Sequence, residues 1–202
     1  MSEGRDRILL AAEELFGTYG FDRVSVRDIA ERAEVNKALI FYHFNSKDEL
    51  FETVLLGYFE SHTEALREAW TTPGPMRERL HTMIDAYVDF IAHHRAWPRL
   101  VQHVAATDHS EHIPTVQRGL QPMFEWVSEV LDELATDEGP LSRRNLFETV
   151  AGSVLHHFTY ASVLAPMWGG DPLSQANVDE RRAHLHWLVD VLLNALEERA
   201  QH

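Results

Sequence analysis

The amino-acid sequence predicts an all-α fold of about nine helices: an N-terminal three-helix unit built around a helix-turn-helix, followed by a larger helical body. Three observations predict it. Apolar residues recur at the i, i+3, i+4, i+7 spacing of a buried helical face along most of the chain. No stretch alternates apolar and polar residues, and no Asn-Gly or Asp-Gly pair marks a hairpin. Between residues 25 and 44, two short helical patterns are separated only by a tight turn. With 202 residues, the chain suits one or two domains and can bury a sizeable core.

The first helix is expected over 4–18, with Ile8, Ala11, Ala12, Leu15 and Phe16 on its buried face and Gly20 as its stop. Ser25 opens the second, SVRDIAERA. Asp28 stands three residues on, in the place where a capping box usually has Glu. After the turn Ala33-Glu34-Val35, Asn36 is a good N-cap for the third helix, NKALIFYHF. Ser46 and Glu49 form a Ser-x-x-Glu box at the start of a fourth helix reaching Trp70, with Leu50, Phe51, Val54, Leu55, Tyr58 and Phe59 inward. Thr71-Thr72-Pro73-Gly74-Pro75 is a break. Further helices are expected at 76–94, 98–107, 114–136, 142–165 and 177–200, separated at Pro98, Pro114, Gly139-Pro140 and Pro166 through Pro172.

In 36–44, Val35, Ile40 and Phe44 can anchor the helix, leaving Lys37, Ala38, Phe41, Tyr42 and His43 to project outward. The DNA major groove admits a helix of this width. The net charge of −14 at first argues against nucleic acid. Its distribution does not. Residues 51–202 carry net −11, whereas 23–47 carry net +2 from Arg23, Arg27, Arg32, Lys37 and Lys47 against Asp28, Glu31 and Glu34. Salt screens the distant body charge within roughly 8–10 Å.

The stretch Gly20-Phe21 … Ser25-Val26-Arg27-Asp28-Ile29-Ala30 … Ala33-Glu34-Val35-Asn36-Lys37-Ala38 … Phe41-Tyr42-His43-Phe44 … Lys47 … Leu50, preceded by AAEELFGTYGF, resembles the TetR family of transcriptional regulators in order and spacing. The resemblance covers about residues 5–52; beyond them it lies only in the helical layout. It implies a helix-turn-helix DNA-binding domain over 1–47 and an effector-binding and dimerisation domain over 48–202. The implied function is a ligand-released repressor that binds a palindromic double-stranded DNA operator as a homodimer. Ser25, Lys47 and His43 fall at phosphate-contacting positions, and Arg27, Lys37 and Ala38 where base edges can be touched. Asn36, Phe41 and Tyr42 complete the candidate DNA-binding set. For Ser25 and Asn36, capping alone stays an equal reading, and Phe41 stays open between groove and core. Two departures stand out: Glu34 replaces the family's usual turn Gly, and Phe41 its usual Tyr.

For the body, the resemblance assigns dimerisation to the last two long helices. Their apolar stripes are Val150, Val154, His157, Phe158 and Ala161, and then Trp187, Leu188, Val191, Leu192 and Leu196. Ordinary core is the competing reading of both. The effector is expected to be a largely apolar small molecule. Candidates to line its site are Phe90, His94, Trp97, His103, Met123, Trp126, Phe158 and Met167, with Tyr87, Phe124 and Val127 beside them, each of which also suits a core.

The remaining expectations are exclusions. The chain lacks an apolar run long enough to span a membrane, and its first residues, MSEGRDRILLAAEELF, lack a signal-peptide layout, so a cytoplasmic location is expected. Without cysteine there is no disulfide, thiolate metal site or cysteine catalysis. His93-His94 and His156-His157 diverge on a helix, so no metal is expected, and no cofactor either. Hydrolase, P-loop and dinucleotide signatures are missing, so no enzyme is expected. The residues leave a second reading, a helical interaction module without DNA binding, and a weaker third, an enzyme.

Overall fold

Ten α-helices and one 3-10 turn make up the fold in a computed structural model that describes residues 3–106, 110–132 and 134–200. The helices are α1 (Glu3–Tyr19), α2 (Val26–Arg32), α3 (Lys37–His43), α4 (Lys47–Trp70), α5 (Met76–His93), α6 (Trp97–Ala106), α7 (Ile113–Val130), α8 (Arg143–Thr159), α9 (Ala161–Trp168) and α10 (Gln175–Ala200). The 3-10 turn, Ser110–His112, precedes α7. Among the described residues, no helix is long and apolar enough to cross a membrane.

The chain divides into two units: Met1–Glu60 with Ala96–Leu120, and Ser61–Arg95 with Gln121–His202. The first, the head, contains α1, α2 and α3, the start of α4, α6 and the start of α7. Its core is aromatic. Phe16 meets Phe51 edge-on at 5.0 Å, and Phe21 lies 4.8 Å from Phe51. Ile8, Ala12, Ile29, Ile40, Leu50 and Leu55 fill the space around them, and Leu15 is only half-buried. The anticipated α4 face, Leu50 through Phe59, is buried throughout.

In the second unit, the body, α10 packs along α5 and against α8. The buried residues are Leu80, Ile84, Tyr87, Val88 and Ile91 of α5, and Val178, Leu185, Val189, Leu193 and Leu196 of α10. Leu196 closes a satellite cluster with Ala135 and Leu146.

Two helix limits differ from expectation. The helix expected over 142–165 is broken at Tyr160, which ends α8 and begins α9 at φ −94°, ψ 6°. The Thr159 hydroxyl donates to the Leu155 carbonyl at 2.8 Å, a back-bond that bends helices. The helix expected over 114–136 stops at Val130. Leu131 and Ala135 turn into the satellite cluster, and the Arg143 amide donates to the Thr136 carbonyl at 2.9 Å.

Candidate nucleic-acid interface

The α2–turn–α3 segment is held by bonds to its backbone. The Ser25 hydroxyl accepts from the Asp28 amide at 3.2 Å, and the Ser25 amide and hydroxyl donate to Asp28 Oδ2 at 2.8 and 2.7 Å. The hydroxyl bond, then the amide bond, hold the Asp28 carboxyl below its ordinary pKa. Asn36 Oδ1 accepts from the Leu39 amide at 2.8 Å and so caps α3. The two predicted caps are therefore in place, and both Ser25 donors are directed at Asp28.

The turn contains the most constrained backbone of the head. Glu34 has φ 52°, a left-handed conformation that usually selects Gly. The Val35 amide donates to Ala30 O at 2.9 Å and the Glu34 amide to Glu31 O at 3.2 Å, the paired bonds of a Schellman C-cap. Arg7 of α1 secures it from outside, donating from Nε to Ala33 O at 2.9 Å and from Nη2 to Glu34 O at 2.7 Å. Arg7 is a residue that sequence reasoning missed. Helical periodicity puts it on a polar face and says nothing of which carbonyls it will reach.

On α3, Ile40 and Phe44 are almost fully buried, whereas Tyr42 is 81% and Phe41 47% exposed. Lys37 and Ala38 are exposed beside them, His43 is half-buried, and Arg27 is exposed on α2. The Lys37 ammonium lies 5.6 Å from the centre of the Phe41 ring. A cation, a phenol, a methyl and an aromatic ring thus share the outward side of a short anchored helix. Those are the groups that reach phosphates, base edges and thymine methyls. Lys47 is placed differently from a bare phosphate contact. Its Nζ donates to Phe21 O at 2.9 Å and Val24 O at 3.0 Å, over the Phe21 ring at 3.9 Å. It ties the α1–α2 connection to α4.

Residues 8–54 match the family model described as bacterial regulatory proteins, tetR family. The chain is 35% identical over 99 residues to the HTH-type transcriptional activator FasR of Mycolicibacterium smegmatis. Its N-terminal segment is thus similar to the tetR-family DNA-binding region. The FasR alignment covers 49% of this chain and 45% of FasR, so the chain spans less than half the length of that relative. The fold extends further than the sequence likeness. The fatty acid degradation regulator FadR of Bacillus halodurans superimposes with a TM-score of 0.74 at 17% identity, covering 92% of this chain and 96% of that one. FadR of Bacillus subtilis in complex with stearoyl-CoA gives 0.69 at 17% identity, covering 89% and 96%.

The candidate effector residues fall in both units. In the body, Phe90 and His94 stack at 4.2 Å, Met123 and Phe158 are buried, and Trp126 is half-buried with the Arg67 guanidinium 5.5 Å from its ring. Met167 is 74% exposed. In the head, Trp97 is buried and stacked on Tyr58 at 3.6 Å, and the His103 side chain lies outside the described residues. His62 is the residue the sequence reading missed. It is buried and stacked on Phe90 at 4.6 Å, with Tyr87 also 4.6 Å away. Burial, then the charge of His94, lowers its pKa to about 3. Burial likewise pushes the Tyr87 phenol up. The α4 periodicity held the signal, since His62 follows Tyr58 by four residues. Among the described residues no group of three His, Asp or Glu side chains is arranged to hold a metal ion.

Of the residues named for the dimer surface, Val154, His157, Phe158, Ala161 and Leu196 are buried inside this protomer. The His157 ring bonds through Nε2 to the Pro172 carbonyl at 3.0 Å, and burial lowers its pKa. Val150, Leu188 and Leu192 are half-buried, and Val191 is 43% exposed. From the end of α8 into α10, Tyr160, Val163, Met167, Trp168 and Trp187 face outward as well.

Proposed function

We propose that this chain is a DNA-binding transcriptional regulator whose α3 enters the major groove of a palindromic operator. Residues 1–47 act as the reader, and 48–202 carry effector and dimer surfaces. The observation that carries the reading is the α3 face: Lys37, Ala38, Phe41 and Tyr42 exposed, Ile40 and Phe44 anchoring the helix from behind. Arg27 and His43 flank it, while Ser25, Asn36 and Lys47 keep α2, α3 and α4 in register. With DNA as its partner, the protein works in the cytoplasm.

A single helix-turn-helix reads few base pairs, so the regulator acts as a homodimer with half-sites about one helical turn apart. Support comes from α10, which is apolar on two sides. Val189, Leu193 and Leu196 face the core, while Trp187 and Val191, four residues apart, face outward. The effector is a small, largely apolar molecule that releases the DNA by favouring one dimer state over another. FadR of Bacillus subtilis, solved with stearoyl-CoA, is a fold neighbour whose ligand carries such a chain. FasR favours a second reading of the sign of regulation, since that relative is an activator.

The test is selection of duplexes from a random pool by the purified full chain at physiological salt. The expected product is a palindrome with half-sites in successive major grooves. A pool that stays random at both physiological and low salt overturns the DNA-reading proposal.

A further inference from the structure

Within the head, His112 is a buried polar ring that DNA contact does not explain. His112 closes the 3-10 turn before α7 and is 1% exposed. Its ring meets Phe21 and Phe51 at 4.8 Å each, both near edge-on, and so joins the Phe16–Phe21–Phe51 cluster. Its nitrogens lie 3.8 Å from Asp48 and 3.9 Å from Glu52, carboxylates on the first turns of α4. Arg118 of α7 donates to the same Glu52 at 3.1 Å and to Thr115 Oγ1 at 2.9 Å.

The contacts continue from this ring to the reading segment. Phe21 lies under the Lys47 ammonium, which also takes the Phe21 and Val24 carbonyls. Val24 precedes Ser25, the N-cap of α2. On either side of His112, Ala96 and Gly119 meet the rest of the head at two further points where an added side chain has no room. A Cβ on Gly17 meets Ala96 Cβ at 2.8 Å, and a Cβ on Gly119 meets the Phe59 ring at 2.3 Å. A segment distant in sequence from the helix-turn-helix is thus built into its core.

We infer that His112 is a positioning residue of the DNA reader: its ring, carried by residues 96–120, sets the packing of Phe21 and Phe51 and through them the seat of α2 and α3. The inference rests on the DNA-reading proposal above. It makes His112 matter for discrimination between sequences while it touches no DNA. A core-filling residue affects only how much protein is folded. A positioning residue changes how well the folded protein tells its operator from other DNA.

The experiment compares affinities of full-length H112A, H112F and the parent for two probes, the duplex enriched from the random pool and a scrambled duplex of the same composition. Each protein is first titrated for its DNA-active fraction. In H112A the enriched-to-scrambled affinity ratio is expected to fall on the order of tenfold, with affinity for the scrambled duplex within about twofold of the parent. H112F restores a ring and is expected to recover most of the ratio. G119A, which pushes the same segment from Phe59, supplies a second reading should H112A fail to fold, and it is expected to lower the ratio in the same direction. A parent-like ratio in the folded H112A variant, or in G119A where H112A does not fold, overturns the inference. A parent protein that does not discriminate the two duplexes overturns the DNA-reading proposal instead, and this inference with it.

Discussion

The reading segment of the head and the α5–α10 pair of the body are each braced internally, by different kinds of bond. In the head, long side chains reach backbone carbonyls. Arg7 takes Ala33 and Glu34, Lys47 takes Phe21 and Val24, and Asn36 and Ser25 cap α3 and α2. In the body, side chains pair with side chains across α5 and α10. Arg77 and His81 share Asp190 at 2.7 and 2.9 Å, Arg182 and His186 share Asp85 at 3.0 and 2.8 Å, and the rings of His81 and His186 stack at 4.2 Å. Desolvation opposes ionisation of Asp190, but the Arg77 and His81 bonds outweigh it and leave its pKa lowered. A reader must fix a turn and the angle between two short helices, and bonds to the backbone do so directly. In the body, the shared carboxylates of Asp85 and Asp190 tie α5 to α10 along their length.

The largest effect that sharpens this comparison is on the body. His62 stays neutral when folded down to a pKa of about 3, against 6.5 when unfolded. The unfolded chain therefore binds an extra proton below pH 6.5. The His62 contribution is intact above that value and is lost as pH falls toward about 3. Unfolding titrations are expected to show a slope of about 1.4 kcal/mol per pH unit in that window that H62F removes. An H62F protein with the parent's acid slope contradicts the assignment.

Arg7→Ala acts on the head alone. It strips charged donors from two turn carbonyls and is expected to cost on the order of 2 kcal/mol. Hydrogen exchange should register this at the amides of 26–44, with those of α5 and α10 unchanged; equal loss in both units breaks the distinction drawn here. Smaller, and opposite in sign, is Glu34→Gly. Relief of the left-handed backbone is expected to stabilise the head by about 1 kcal/mol, read as a higher denaturant midpoint at unchanged slope. No gain would mean that the Arg7 clamp already offsets the strain.

The head was the more legible part because its signals are local. Ser25 with Asp28, and Asn36 before Lys37, announce helix starts, and Ile40 and Phe44 give α3 one buried side. Glu34 was recognisable as the unusual turn residue, and φ 52° bears that out. What stayed hidden was non-local: Arg7 reaching residues 26 and 27 positions away, and His112 entering a core built from α1 and α4. In the body, apolar residues occur on more than one side of α10, so periodicity alone could not say which side meets α5. The core took Val189 and Leu193 and left Trp187 and Val191 outside. The break at Tyr160 carries no Gly or Pro of its own, and the Thr159 hydroxyl bonded one turn back beside it is visible only in three dimensions.

The central claim is that the outward face of α3 reads sequence. Its most direct test is the affinity of the double variant Lys37→Ala/Tyr42→Ala for the selected and the scrambled duplex, with helicity checked by circular dichroism. Both side chains project from a helix anchored elsewhere, so the fold should be unchanged. The account predicts that the preference for the selected duplex collapses, by roughly 10- to 100-fold. A folded double variant that keeps the parent's preference would contradict it, and the reading surface would have to be sought away from α3.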